Sequence, residues 1–127
     1  MSWGNPTLTK SFVAGAAVEK HRIVKFGGSD EEVVHGAAAT DLLIGVTAEI
    51  GAASGKRLDV HLAGIAEVEA AGVIARGALV TANGSGQGVA AAPAQGANAR
   101  VIGIALATTA SGDIAPVLLT PGIMQGA

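Results

Sequence analysis

The chain has 127 residues, a formal net charge of -2 and no cysteine. It holds 27 Ala and 19 Gly, together more than a third of the sequence, with 2% aromatic and 14% charged residues. Those figures exclude a charged disordered tail, a binder that works by neutralising phosphates, a disulfide framework and a thiolate metal centre.

In chain order, residues 1–10 come first and read as an extended arm. This arm holds Trp3, the one tryptophan, together with Pro6 and Leu8. Trp is enriched at binding hot spots, so Trp3, Pro6, Leu8 and the following Phe12 are the expected contacts with a partner. Residues 11–127 read as a single β domain. Residues 11–20 and 66–76 are Ala-rich enough to be helical, yet Gly15 and Gly72 and the lack of caps argue against helices. Short β-branched runs at 22–26, 43–47, 79–81, 101–106 and 115–120 are bounded by Gly, Ser, Asn or Asp and predict strands. Residues 57–62 alternate, with Leu58, Val60 and Leu62 on one face and Arg57, Asp59 and His61 on the other. Residues 66–70 alternate again. The stretch 83–99 reads as a long loop of Gly, Ala, Ser, Gln and Pro, with a brief strand at Val89 matching one at Val33.

The chain is also written twice. Ile44-Gly45-Val46 recurs as Ile102-Gly103-Ile104, and Ala53-Ser54-Gly55 as Ala110-Ser111-Gly112. Val60 and Leu62 match Val117 and Leu119, and Ala14-Gly15 matches Ala71-Gly72. The offsets stay between 56 and 58. The expected fold is all-β: a small barrel or sandwich built from two copies of one β unit, residues 14–65 and 71–123, with the arm outside them. After Gly77 only Arg100 and Asp113 carry charge, which predicts that this half is covered by a neighbour.

Chemical motifs fail on inspection. Residues 51–57 imitate a phosphate loop, but the glycine spacing is one residue short and Arg57 stands where Ser or Thr is required. A turn fits better, and its counterpart Ser111-Gly112-Asp113 lacks the lysine. Residues 83–88 imitate a dinucleotide fingerprint but lack the following helix and the acid about 20 positions on. Asp59 and His61 share a strand face without a third group to complete a metal or acid–base site. Asp30-Glu31-Glu32 lacks calcium-loop spacing. No catalytic, cofactor or metal residue is assigned. There is no basic-then-apolar leader at Met1 and no apolar run near the roughly 18 residues of a membrane helix. A soluble protein made in a cytoplasm is expected, with neither nucleic acid nor membrane as partner.

Several runs together carry a resemblance. They are 18–26, Asp41-Leu42-Leu43-Ile44-Gly45-Val46, Leu58-Asp59-Val60, Gly64-Ile65-Ala66, Gly77-Ala78-Leu79-Val80, Val101-Ile102-Gly103-Ile104-Ala105 and the closing 117–122. In this order the chain resembles the small capsid decoration, or cement, proteins of tailed bacteriophages. Ala78 departs from the acid common in that family after the glycine. The resemblance implies a virion structural protein, no enzyme and no cofactor. It would sit on the exterior of the phage head with the major capsid protein as partner, often as a homotrimer at threefold or quasi-threefold sites. Two other readings stand beside it. A carrier or small-molecule barrel would use Lys56 in its Gly-flanked turn, and an enzyme would use Asp59 and His61.

Overall fold

The computed structural model describes residues 4–126. Nine strands and no helix are found among them: β1 (Asn5–Ala14), β2 (Ile23–Phe26), β3 (Glu32–His35), β4 (Leu43–Thr47), β5 (Arg57–Glu69), β6 (Leu79–Ala82), β7 (Gly88–Ala90), β8 (Asn98–Ala105) and β9 (Ile114–Gln125). The class is all-β, as the short β-branched runs between turn residues imply. The Ala-rich stretches 11–20 and 66–76 are strand and loop, because their apolar residues are used in sheet pairing before Gly15 and Gly72 interrupt them. Val33 and Val89 lie in β3 and β7.

The strands form one mixed sheet in the order β1-β3-β2-β4-β5-β9-β8-β6-β7, and β1 also pairs with β5. That extra pairing closes the first five strands into a ring. A closed ring leaves fewer unpaired backbone groups than an open sheet. The later strands run β5-β9-β8-β6-β7, and a parallel bridge from Ala70 to Gly88 brings the end of β5 beside β7. Backbone bonds recur between the two rings at a spacing of 56 or 57 residues. The amide of Gly55 donates to the Ala14 carbonyl at 2.7 Å, and that of Gly112 donates to Ala70 at 2.8 Å. The bridge Val18–Ala52 has its like in Ile74–Thr109.

Strand β5 serves both rings. Its first part pairs with β1 and β4, and Ile65 to Glu69 pair with β9. The change of partner falls at Gly64, whose φ is +91°. A Cβ there would stand 2.5 Å from the Asn5 carbonyl oxygen, so only glycine lets β1 approach at this point.

The core divides into two clusters. Phe12, Ala14, Val18, Val24, Val33, Leu58 and Val60 fill the first. The larger one joins Ile23, Leu43 and Val46 to residues of the second ring, among them Val68, Ile74, Val80, Ile102 and Val117. Ile23 and Val24 are adjacent, fully buried and in different clusters. Successive strand residues point to opposite faces, so β2 is a wall between the two cores.

Candidate functional site

Residues 5–10, expected as an arm, are extended but hydrogen-bonded along β5, with bulges flanking Leu8. A division between residues 10 and 11 would therefore cut through β1. Every residue from Asn5 to Lys10 is exposed. Pro6 and Leu8 lie on this outer stretch, Leu8 being 55% exposed. Phe12 does not: it is 4% exposed and belongs to the first core cluster. The strand alternation turns it inward opposite Leu58, with the Lys10 ammonium 4.4 Å from its ring centroid. Its side chain serves the core and is not offered to a partner. Trp3 lies outside the described residues.

A second exposed stretch closes the chain, and the sequence reading passed over it. Beyond Leu118, β9 pairs with β8 alone among the described residues. Residues 120–123 are all exposed, and Ile123 is 63% exposed. The signal available in the sequence was the absence of any charge from 114 to the end.

The polar face of β5 borders a cleft of about 550 Å³, walled by the start of β1 and by the loop 48–51. Asp59, His61 and His21 line it. His61 Nδ1 stands 2.9 Å from the Thr9 hydroxyl, and His21 Nδ1 stands 3.2 Å from the Glu67 carbonyl oxygen. Burial holds the His61 imidazole below its ordinary value, while the Asp59 and Glu49 carboxylates pull it back up. His21 has a φ of +56°, unusual for a side chain of its size. The Asp59–His61 pair therefore exists on one face, as alternation requires. His61 ties β1 to β5 through Thr9, and no cluster of three or more metal-binding groups occurs among the described residues.

The motifs that imitate cofactor sites are turns. Gly55 and Gly112 both have positive φ, at +83° and +87°, in the corresponding loops before β5 and β9. Lys56 sits in the first of these. In the glycine-rich stretch, the Asn83 side-chain oxygen accepts from the amides of Ser85 and Gln87 and closes the turn on itself. The acidic run is engaged as well. Glu31 reaches Lys10 and Arg57, each at 3.6 Å, and Glu32 accepts from the Gly28 amide at 2.7 Å.

The two rings are joined by a polar clasp. Arg22 reaches Glu19 at 2.9 Å, Glu69 at 3.2 Å and the Ser85 carbonyl at 3.0 Å, and Gln87 also donates to Glu69. Arg22, Glu69, Gln87 and His61 thus hold the fold together beside the exposed lengths of β1 and β9.

Two comparisons with known proteins bear on it. The family described as phage cement protein matches residues 1–119. Among solved structures, the chain is similar to the N base of head fiber gp8.5 in bacteriophage phi29. The TM-score is 0.67 at 19% identity, covering 89% of this chain and 93% of that one. At that identity the likeness is one of fold. No curated protein sequence matches the chain.

Proposed function

The chain belongs to the phage cement protein family, and from that premise we propose that it binds the major capsid protein on the outer surface of the phage head. There it holds neighbouring shell subunits together, as a homotrimer at threefold or quasi-threefold positions. The family match over residues 1–119 is the observation that carries this reading. The geometry supports it. A cement needs area and complementary shape, and many weak contacts over a symmetric lattice add by avidity. The charge-poor second half, with only Arg100 and Asp113 after Gly77, can be covered without stranding many charges. Pro6 and Leu8 on the exposed length of β1 are the proposed shell contacts, with Trp3 beside them in sequence. Phe12 is left to the core.

The test is co-sedimentation of the purified protein with undecorated phage heads. Attachment saturates at a fixed number of copies per capsid subunit. Leu8→Asp weakens it by about tenfold, equivalent to about 1.4 kcal/mol, and leaves the thermal midpoint unchanged. Failure of the unaltered protein to sediment with heads at saturating concentration overturns the reading.

A further inference from the structure

The two rings can be compared position by position. The Thr47 amide donates to the Arg22 carbonyl at 2.8 Å, and the Ala105 amide donates to that of Ala78 at 2.9 Å. Arg22 and Ala78 therefore correspond, and so do the residues before them, His21 and Gly77. Both have positive φ, +56° at His21 and +91° at Gly77. Glycine adopts that conformation freely, whereas a side chain as large as His is held there against a backbone cost. Ser11 pairs with Asp59 as Glu67 pairs with Pro116, and Thr9 with His61 as Ile65 with Leu118. Asp59 thus corresponds to Pro116 and His61 to Leu118. The loop after Ala105 carries Leu106, Ala107 and Thr108, with no counterpart of the Glu49 carboxylate. The same frame of strands and turns forms in the second ring without polar side chains at these places. The polar set of the first ring is therefore not a requirement of the β unit.

His21, Glu49, Asp59 and His61 all line the cleft of about 550 Å³. Its walls are fixed to one another. The Ala48 amide donates to the Asp59 carbonyl at 3.0 Å, and the His21 amide to the Ala48 carbonyl at 3.3 Å. Pro6, Ile65 and Ile50 add apolar surface, and Ile50 is 80% exposed. Glu49, Asp59 and His21 offer hydrogen-bond acceptors. His21 Nδ1 stands 3.2 Å from the Glu67 carbonyl oxygen, which cannot donate. That nitrogen therefore carries the proton, and Nε2 of the neutral ring is an acceptor. Ion pairs among the described residues take in Glu19, Glu31, Asp41 and Glu69 but neither Glu49 nor Asp59. The cation of the lining, Arg57, is engaged elsewhere, with Glu31 at 3.6 Å and the Ser11 hydroxyl at 3.4 Å.

We propose that this cleft receives an arginine side chain of the shell protein to which the cement attaches. A guanidinium has five donors and no acceptor, so it matches two carboxylates and an imidazole acceptor together. Its aliphatic stem covers apolar surface such as that of Ile50 and Pro6. A lysine ammonium is a compact, strongly hydrated point charge and matches fewer of these acceptors at once. Pro6 belongs both to the cleft and to the exposed length of β1 proposed as a shell contact, so the two surfaces are continuous. The inference rests on the proposed function and names the chemical group of the partner that anchors it.

The test follows backbone amide NMR signals of the full chain as N-acetyl-arginine amide is added. The signals of Glu49, Ile50, Asp59 and His61 shift to saturation. N-acetyl-norleucine amide, which has a stem and no charge, leaves them in place. Glu49→Gln combined with Asp59→Asn, both at exposed positions, weakens probe binding and head attachment by about tenfold. His21→Gly, which installs the residue used by the second ring, also binds the probe more weakly. Circular dichroism establishes that each variant is folded. No shift with the arginine probe, an equal response to the norleucine probe, equal or tighter binding of N-acetyl-lysine amide, or unchanged probe binding in either variant overturns the inference. Heads that hold the double variant as tightly as the unaltered protein overturn the docking and leave the cement reading standing. An unaltered protein that binds the arginine probe but no heads overturns the cement reading and leaves the arginine site.

Discussion

Leu8 and Phe12 sit four residues apart on β1 and have opposite fates. Leu8 is 55% exposed and Phe12 is 4% exposed. Phe12→Ala removes a filled core position and costs about 3–4 kcal/mol of folding stability; Leu8→Ala costs under about 0.5 kcal/mol. Chemical denaturation of the two variants checks the contrast, and equal losses would contradict the burial. Two histidines make stability depend on pH. Burial, then the Arg22 charge, lowers His35, and burial lowers His61, both from an ordinary 6.5. A lowered imidazole binds its proton more readily in the unfolded chain. Its contribution is therefore complete above pH 6.5 and is lost as pH falls through that value toward the folded pKa. The denaturant midpoint is lower at pH 5.5 than at pH 7.5, and His61→Gln reduces the difference. Asp41 acts in a separate, more acidic window. The Ala37 amide and Lys25 hold it below 3.8, so its contribution is present above that value and is lost below it.

At the scale of the element, β1 is where sequence reading and structure part. Its residues and a position outside the repeated unit pointed to an arm, whereas residues 5–10 are a strand paired along β5. What the sequence did not show is that Gly64 opens a place for it on β5. A glycine reads locally as a turn residue, whereas here it admits a neighbouring backbone. Strand alternation placed Leu58 and Val60 inward and Asp59 and His61 outward correctly, because that information is local. The partner change along β5 and the free end of β9 depend on contacts between residues far apart in sequence, and no local pattern encodes them. The consequence shows in truncation. Removing residues 1–10 uncovers part of β5 and takes away the Thr9 hydroxyl beside His61. It therefore lowers the thermal midpoint as well as head attachment. Leu8→Asp lowers attachment alone. A truncated chain with an unchanged melting temperature would mean that the β1–β5 pairing contributes nothing to the fold.

For the whole molecule, the question is whether two rings, whose larger core cluster draws on both, behave as one body. The shared strand β5 and the wall formed by β2 already couple them. The Arg22 clasp adds a polar link, since Arg22 belongs to the first ring while Glu69, Ser85 and Gln87 lie on the second side. The Arg22 side chain is 11% exposed, so losing a charged partner there is not made good by water. Glu69→Ala costs about 2 kcal/mol, as expected for a charge-assisted bond in a partly buried setting. Glu19→Ala, with its side chain 66% exposed, costs under about 1 kcal/mol. Unfolding followed by circular dichroism and by a fluorescent label on the β9 end remains one transition in both variants, because β5 cannot leave one ring while staying in the other. Two separated transitions in Glu69→Ala would show instead that the clasp, and not the shared strand, unites the halves. A single strand common to both rings gives them one continuous main-chain connection, and on the proposed function that strand is the path by which load passes from one shell subunit to another.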